Sequence, residues 1–327
     1  MGAMQHRTRS IESVRDLVDE ALENLVLERL SSTVEEPAMA LARDVLLAGG
    51  KRYRPVLALL AYEAAGGTDL EGVLDMAIAA ELIHTATLVH DDINDQSRIR
   101  RGRPAIHATH GISHGVIAGD YLFVLAFERC GNYDARIIEG IAGSCIQVAS
   151  GELLQLKHIG DLGTKPEDYY DIIDGKTAGS FATICSCAAI FAGSSEDYIT
   201  PMESYGRELG RAFQLVDDLL DLTGDPSMGK PRGTDVQEGK MTLPIIHALT
   251  MLHGVEREQL ADVLTNFGDD RSQELIELLE KAGSFDYSRQ LISNHVERAL
   301  GHLHQMPASN ARDLMVDIAK MSQTRTT

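Results

Sequence analysis

The sequence predicts an all-α protein, one domain over residues 1–327 built from about ten or more helices. Three observations carry this. Apolar residues recur at three- and four-residue steps along most of the chain, the period of a buried helix face. Alternating apolar and polar runs bounded by turn residues are not evident. Glycine and proline punctuate the pattern locally, and only Gly224 to Gly239 forms a long irregular stretch, the kind of loop that serves as a lid.

Taken in order, the segment from Ser10 to Leu30 places Ile11, Val14, Leu17, Val18, Leu22, Leu25 and Val26 on helical spacing. A second periodic segment, near 37–48, ends at Gly49-Gly50, and a third, near 54–65, ends at Gly66-Gly67. The long run 70–95 follows, then a break at Gly102 to Pro104 and helices near 112–131 and 134–158. Gly163 to Pro166 precedes runs near 168–192 and 197–222, and the same periodicity resumes at 242–252 and through the remainder. There is no short-period repeat and no low-complexity tract.

Composition narrows the function. Apolar residues make up 44 % of the chain, enough for a large core, and the formal net charge is −19. So acidic a protein is a poor ligand for a phosphate backbone, which excludes nucleic acid as the expected partner. It also makes any local basic cluster informative. Cys130, Cys145, Cys185 and Cys187 form no C-x-x-C pair and read as buried thiols. No secretory signal and no apolar run long enough to cross a bilayer is apparent, so the expectation is a cytoplasmic protein without a transmembrane segment.

Two aspartate clusters stand out. One helical run closes on His90-Asp91-Asp92-Ile93-Asn94-Asp95, and another on Asp217-Asp218-Leu219-Leu220-Asp221. Both are D-D-x-x-D. Residues four apart lie on one helix face, so Asp91 with Asp95, and Asp217 with Asp221, present paired carboxylates that repel unless a cation sits between them. A single such motif reads equally well as a charged helix end. Two copies, each closing an apolar run, point to cations. Oxygen donors without His or Cys suit magnesium, which shares its coordination with substrate phosphates.

Basic residues complete the pattern. Gly49-Gly50-Lys51-Arg52-Tyr53-Arg54-Pro55 forms one cluster, and Arg98-Ile99-Arg100-Arg101-Gly102-Arg103 follows the first aspartate motif directly. Either alone reads as solvated surface. Beside the aspartates they read as anion binding, since arginine offers forked donors to phosphate and lysine a mobile charge.

These segments, with His84-Thr85, Gly175-Lys176-Thr177, Phe213-Gln214 and the run from Gly229-Lys230 through Gly233-Thr234-Asp235 to Lys240, span about 190 residues. In that order the chain resembles the trans-isoprenyl diphosphate synthases, the polyprenyl synthetase family. The resemblance implies helices around a central cavity and head-to-tail condensation of isopentenyl diphosphate with an allylic diphosphate, giving geranylgeranyl or longer polyprenyl diphosphate. It implies that Lys51, Arg54, His84 and Arg101 hold isopentenyl diphosphate. Arg100 would bind the allylic diphosphate, with Lys176, Lys230 and Lys240 closing over it. Asp91, Asp95 and Asp217 would be the main magnesium ligands, supported by Asp92, Asp218 and Asp221, with three ions when substrate is bound. Thr177 and Gln214 would line the reacting carbons. A homodimer with its contact in helices near 112–158 is also implied.

Two other functions compete. A class I terpene cyclase ionises allylic diphosphates too, but needs no second diphosphate site, which the Lys51/Arg54 cluster offers. A non-catalytic regulatory subunit of a prenyl synthase would be expected to have lost aspartates, and both clusters are intact. His107, His110 and His114 read as surface or capping residues rather than a zinc site, and Gly111, Gly115 and Gly119 as a close helix contact. Ala86 and Thr87, five and four residues before Asp91, and Ala79 and Ala80 further down are small. In the resembling family, short-chain enzymes carry Phe or Tyr at the first two positions, so a longer product is expected here.

Overall fold

The computed structural model describes residues 9–31, 37–224 and 233–323. It is all-α. The chain begins with α1 (Ile11–Leu30), α2 (Pro37–Leu46), α3 (Tyr53–Ala64) and α4 (Leu70–Asn94). A small hairpin, β1 (Ile99–Arg100) and β2 (Arg103–Pro104), leads to α5 (Ile106–His110), α6 (Ile112–Cys130) and α7 (Ala135–Lys157). Helix α8 (Pro166–Ile173) passes through a π-helical turn, Asp174–Ala178, into α9 (Gly179–Phe191), and α10 (Glu196–Thr223) follows. Then come α11 (Thr234–Gln237), α12 (Leu243–Met251), α13 (Val255–Thr265), α14 (Ser272–Lys281), α15 (Ser284–Leu303) and α16 (Asn310–Gln323).

The helices sort into two compact units. The first comprises Met1–Ile141, Ile184–Ile199 and Met306–Met315, and the second Ala142–Thr183, Thr200–Gln305 and Val316–Thr327.

In the first unit, Ser10 and Ser13 cap the start of α1 reciprocally, and Val14, Val18, Leu22 and Leu25 bury its apolar face. Asp69 caps α4 by accepting from the Glu71 amide at 3.1 Å. Helix α4 packs along α3 and α6. The glycine stripe of α6 explains how closely. A Cβ on Gly119 would lie 2.1 Å from His90 Nε2, and one on Gly115 would lie 2.8 Å from Ile93 Cδ1. Only glycine lets α6 approach the α4 turn that carries the first aspartates, so the sequence reading of a close helix contact holds at both positions.

In the second unit, α12 is a core helix packed by α8, α13, α14 and α15. Leu215, Leu243, Ile245, Leu260 and Leu279 are fully buried there. Cys130, Cys185 and Cys187 are buried and Cys145 is half-buried. Desolvation pushes the Cys145 thiol up to about 11 and that of Cys185 to about 12, away from thiolate chemistry.

Two helices, Leu70–Asn94 and Ala135–Lys157, are long and apolar enough to cross a membrane by length and composition, where the sequence suggested none. For α4 the reason is burial inside its unit. Helix α7 differs: only 11 % of its apolar window is buried, and Ile146, Leu153 and Leu156 are exposed.

Candidate active site

The first unit gathers one group of residues. Gly49 and Gly50 turn the chain with φ of 76° and 146°, and Arg52 sits in the left-handed region at φ 50°. That strained residue is held from all sides. Its guanidinium donates to Asp19 Oδ1 at 2.8 Å, to Glu81 Oε1 at 2.5 Å and to the Leu46 carbonyl at 2.9 Å. Arg52 is 4 % exposed, whereas Lys51 beside it is exposed. The middle cation of the cluster is therefore structural, and it fixes the loop on which Lys51 and Arg54 stand.

The hairpin supplies the other cations. Arg101 and Gly102 occupy its two-residue turn with φ of 50° and 73°, the pattern of a type I′ turn. This folds Arg100 back on α4, where Nε and Nη2 donate to Asp92 Oδ1 at 2.7 and 2.5 Å. Arg101 Nη1 donates to the Gly49 carbonyl at 2.7 Å, joining the two basic segments. His84 lies within the field of these residues. Burial and the charges of Arg54, Arg101, Arg100 and Arg52 push its pKa well down, so it offers a neutral imidazole. Burial also raises the Asp92 carboxyl above its ordinary value, although the Arg100 bonds oppose this.

Asp91 and Asp95 are half-buried on the last turn of α4, with Asp95 as its C-cap. Carboxylates at a helix C-terminus face the partial negative charge of unpaired carbonyls. That placement is unfavourable without a cation, as is that of Asp217 and Asp221 near the end of α10.

The second unit gathers the rest. Thr177 Oγ1 donates to Gln214 Oε1 at 2.8 Å, Gln214 Nε2 donates to Asp218 Oδ1 at 2.9 Å, and the Tyr169 hydroxyl donates to Asp218 Oδ2 at 2.6 Å. Asp221 accepts the backbone amides of Thr234 and Asp235, both at 3.1 Å, and so caps α11. Burial and the charge of Asp235 push both Asp218 and Asp221 above the carboxylate range. Lys176 Nζ rests on Glu152 Oε1 at 2.5 Å and Gln155 Oε1 at 2.9 Å. Lys240 Nζ lies 2.5 Å from Glu238 and 3.6 Å from Asp235. A small cleft, open to solvent, is lined by Lys176, Thr177, Gln214, Asp218, Asp235 and Lys240 among others.

Each unit thus holds one aspartate cluster with its own cations: Lys51, Arg54, His84, Asp91, Asp92, Asp95, Arg100 and Arg101 in the first, and Lys176, Thr177, Gln214, Asp217, Asp218, Asp221 and Lys240 in the second. Lys230, and with it residues 225–232 of the expected lid, lies outside the described residues. Among the described residues no three His, Cys, Asp or Glu side chains form a ready-made metal cage. The donors fit an ion that takes one or two carboxylates and completes its shell with water and phosphate oxygens. Asp92, Asp218 and Asp221 accept donors from Arg100, Tyr169 and the Thr234 amide, and Asp91, Asp95 and Asp217 are half-buried on the same helix ends. Sequence reasoning missed Gln155, His158 and Tyr169, which line the cleft. No motif marks them; helical spacing from Lys176 and Asp218 across three helices would have been needed.

Residues 35–281 match the polyprenyl synthetase family. The chain is 36 % identical over 308 residues to an all-trans-nonaprenyl-diphosphate synthase (geranyl-diphosphate specific) of Rhodobacter capsulatus, covering 93 % of this chain and 94 % of that one. It is 37 % identical over 306 residues to a short chain isoprenyl diphosphate synthase of Methanothermobacter thermautotrophicus, covering 92 % and 94 %. Among solved structures, a polyprenyl synthase from Caulobacter crescentus complexed with calcium and isoprenyl diphosphate superposes with a TM-score of 0.89 at 33 % identity, over 98 % of this chain and 100 % of that one. The chain belongs to the polyprenyl synthetase family, and it is a trans-prenyltransferase that elongates isoprenoid diphosphates.

Proposed function

We propose that the protein is a cytoplasmic, magnesium-dependent synthase that condenses isopentenyl diphosphate with an allylic diphosphate and releases geranylgeranyl or a longer polyprenyl diphosphate. The observation that carries this is the duplication of one arrangement: paired carboxylates at a helix C-terminus with basic side chains in the same unit, Lys51, Arg54, Arg100 and Arg101 with α4 and Lys176 and Lys240 with α10. Lys51, Arg54, His84 and Arg101 bind isopentenyl diphosphate. Arg100, Lys176, Lys230 and Lys240 bind the allylic diphosphate. Asp91, Asp95 and Asp217 would hold magnesium, with Asp92, Asp218 and Asp221 orienting their neighbours, and the bound metal would supply stabilisation of the negative charge that gathers on the leaving diphosphate.

The protein's own groups do the remainder. Neutral His84 donates a hydrogen bond without adding charge. Lys176 and Lys240 leave Glu152 and Glu238 to meet the departing phosphate oxygens, which favours breaking the allylic C–O bond. Thr177 and Gln214 line the reacting carbons, and closure over them keeps water from quenching the cation. Support for a longer product comes from α4, where Ala79, Ala80 and Ala86 are small side chains at positions where a bulky ring would block a chain running along the helix. Each helical turn rises about 5.4 Å, close to one five-carbon unit of about 5 Å.

The protein works as a homodimer through α6 and α7. Each exposes an apolar face, Val116, Ile117 and Val124 on α6 and Ile146, Leu153 and Leu156 on α7. Sedimentation at micromolar concentration should give a dimer, and a monomer there argues against it. The metal reading is tested by chelation. Activity should vanish with a chelator and return with magnesium, and Asp91→Ala or Asp217→Ala should lose turnover by orders of magnitude with the helical circular dichroism unchanged. Full activity in metal-free buffer overturns it.

A further inference from the structure

Lys176 and Thr177 are carried by a backbone segment that departs from α-helical register. Asp174–Ala178 forms a π-turn between α8 and α9, a conformation of poorer intrinsic stability that persists where its surroundings fix it and that recurs at functional sites. Helix α7 supports one side: a Cβ on Gly151 would lie 2.8 Å from the Lys176 amide nitrogen, so the two backbones touch.

Helix α10 grips the other side twice. One grip is Gln214 on Thr177 at 2.8 Å. The other is Arg211, three residues earlier on the same helix face, which bonds both oxygens of Asp174, Nε to Oδ1 at 2.7 Å and Nη2 to Oδ2 at 2.5 Å. Lys176 lies between these two points.

Arg211 is itself over-determined. Its Nη1 donates to Glu208 Oε1 at 3.1 Å, and its guanidinium lies 5.7 Å from the centre of the Tyr170 ring. Glu208 Oε2 is 2.7 Å from His295 Nδ1, and His295 Nε2 is 3.0 Å from the Tyr170 hydroxyl. Arg211, Asp174, Glu208 and His295 touch no group assigned a chemical task, yet together they spend a forked arginine and a buried histidine on one turn of backbone.

We propose that Arg211 is a positioning residue: its forked bond to Asp174 sets the π-turn so that Lys176 and Thr177 face the cleft. This rests on the assignment of Lys176 to the allylic diphosphate. A fork rather than a charge is required, since two parallel bonds fix both the position and the rotation of Asp174.

The test uses the full chain with Arg211→Gln, Asp174→Asn, the double variant, Arg211→Lys and Lys176→Met. Steady-state kinetics are read separately for the allylic diphosphate and for isopentenyl diphosphate, with thermal midpoints in parallel. Arg211→Gln should lower kcat/KM for the allylic substrate by roughly tenfold to a hundredfold, while KM for isopentenyl diphosphate moves by less than about twofold. The double variant should be no worse than the worse single one, because both remove the same contact. Arg211→Lys, which keeps the charge and the fold but not the fork, should retain less than half of the wild-type value. Unchanged allylic kinetics in Arg211→Gln and Arg211→Lys, with only the midpoint lowered, would overturn the inference. If Lys176→Met also leaves allylic kinetics unchanged, the assignment of Lys176 falls with it; if Lys176→Met alone is damaged, only the role of Arg211 falls.

Discussion

The Tyr169 hydroxyl donates to Asp218 Oδ2 at 2.6 Å, and both side chains are buried, at 3 % exposure each. The second carboxyl oxygen of Asp218 accepts from Gln214, which in turn accepts from Thr177. One tyrosine therefore terminates a chain of hydrogen bonds that orients a threonine three links away.

Tyr169→Phe removes the end of that chain. It leaves a buried carboxyl oxygen without its donor, which costs about 1–3 kcal/mol, read as a lower denaturant midpoint. Turnover should drop roughly tenfold to a hundredfold, the usual effect of losing a partner behind a ligand group. Wild-type turnover in this variant would show that the chain plays no part in the reaction.

Arg52 and Lys51 are adjacent and carry the same charge, but different fates are expected on substitution. Arg52→Met strands Glu81, 2 % exposed, without its ion pair. Removing one partner of a buried pair costs about 3–5 kcal/mol. Lys51→Ala should leave the midpoint within about 0.5 kcal/mol and raise KM for isopentenyl diphosphate. Equal midpoints for the two variants would contradict the division of labour.

Much of this was legible in the sequence, and the reasons separate cleanly. The run read as 70–95 is α4, Leu70–Asn94, because a helix buried on several sides carries an uninterrupted apolar signal. The aspartate pairs were legible because four-residue spacing is a local property. The run read as 168–192 hid a break, the π-turn at Asp174–Ala178, whose contacts with Gly151 on α7 and Arg211 on α10 are remote in sequence. The hairpin at 99–104 was hidden because its turn is Arg101-Gly102 rather than the Asn-Gly or Asp-Gly that announces a type I′ turn. Arg52 could not be told from Lys51 because Glu81, its partner, is 29 residues away. Periodicity and spacing report local order, while the division of charges into structural and chemical ones is set by tertiary contacts.

The Glu208 cluster predicts a pH dependence of stability. Burial opposes ionisation of Glu208, but the hydrogen bond from His295 and the charges of His295, Arg298 and Arg211 outweigh it and hold the carboxyl below its ordinary value. A carboxyl held low when folded adds stability above its unfolded pKa and loses it as pH falls through the folded one. Glu208→Gln should therefore be destabilised by about 1–3 kcal/mol at pH 7, with the gap to wild type narrowing below about pH 4. A gap that widens on acidification would contradict the assignment.

Ala86→Phe tests α4 as the ruler of product length. Ala86 has no exposed surface, so the added ring should cost about 1–3 kcal/mol through overpacking. If the growing chain runs along α4, the same ring should shorten the product while leaving the first condensation intact. An unchanged product distribution in a folded variant would remove α4 from this role.

The central claim, elongation by a protein with two diphosphate sites, is tested most directly by the mass spectrum of its products. The purified protein is incubated with magnesium, an allylic diphosphate and isopentenyl diphosphate. The account predicts a linear series growing in five-carbon steps and ending at geranylgeranyl diphosphate or beyond, absent when the metal is chelated. A cyclised hydrocarbon, or no consumption of isopentenyl diphosphate, would contradict it.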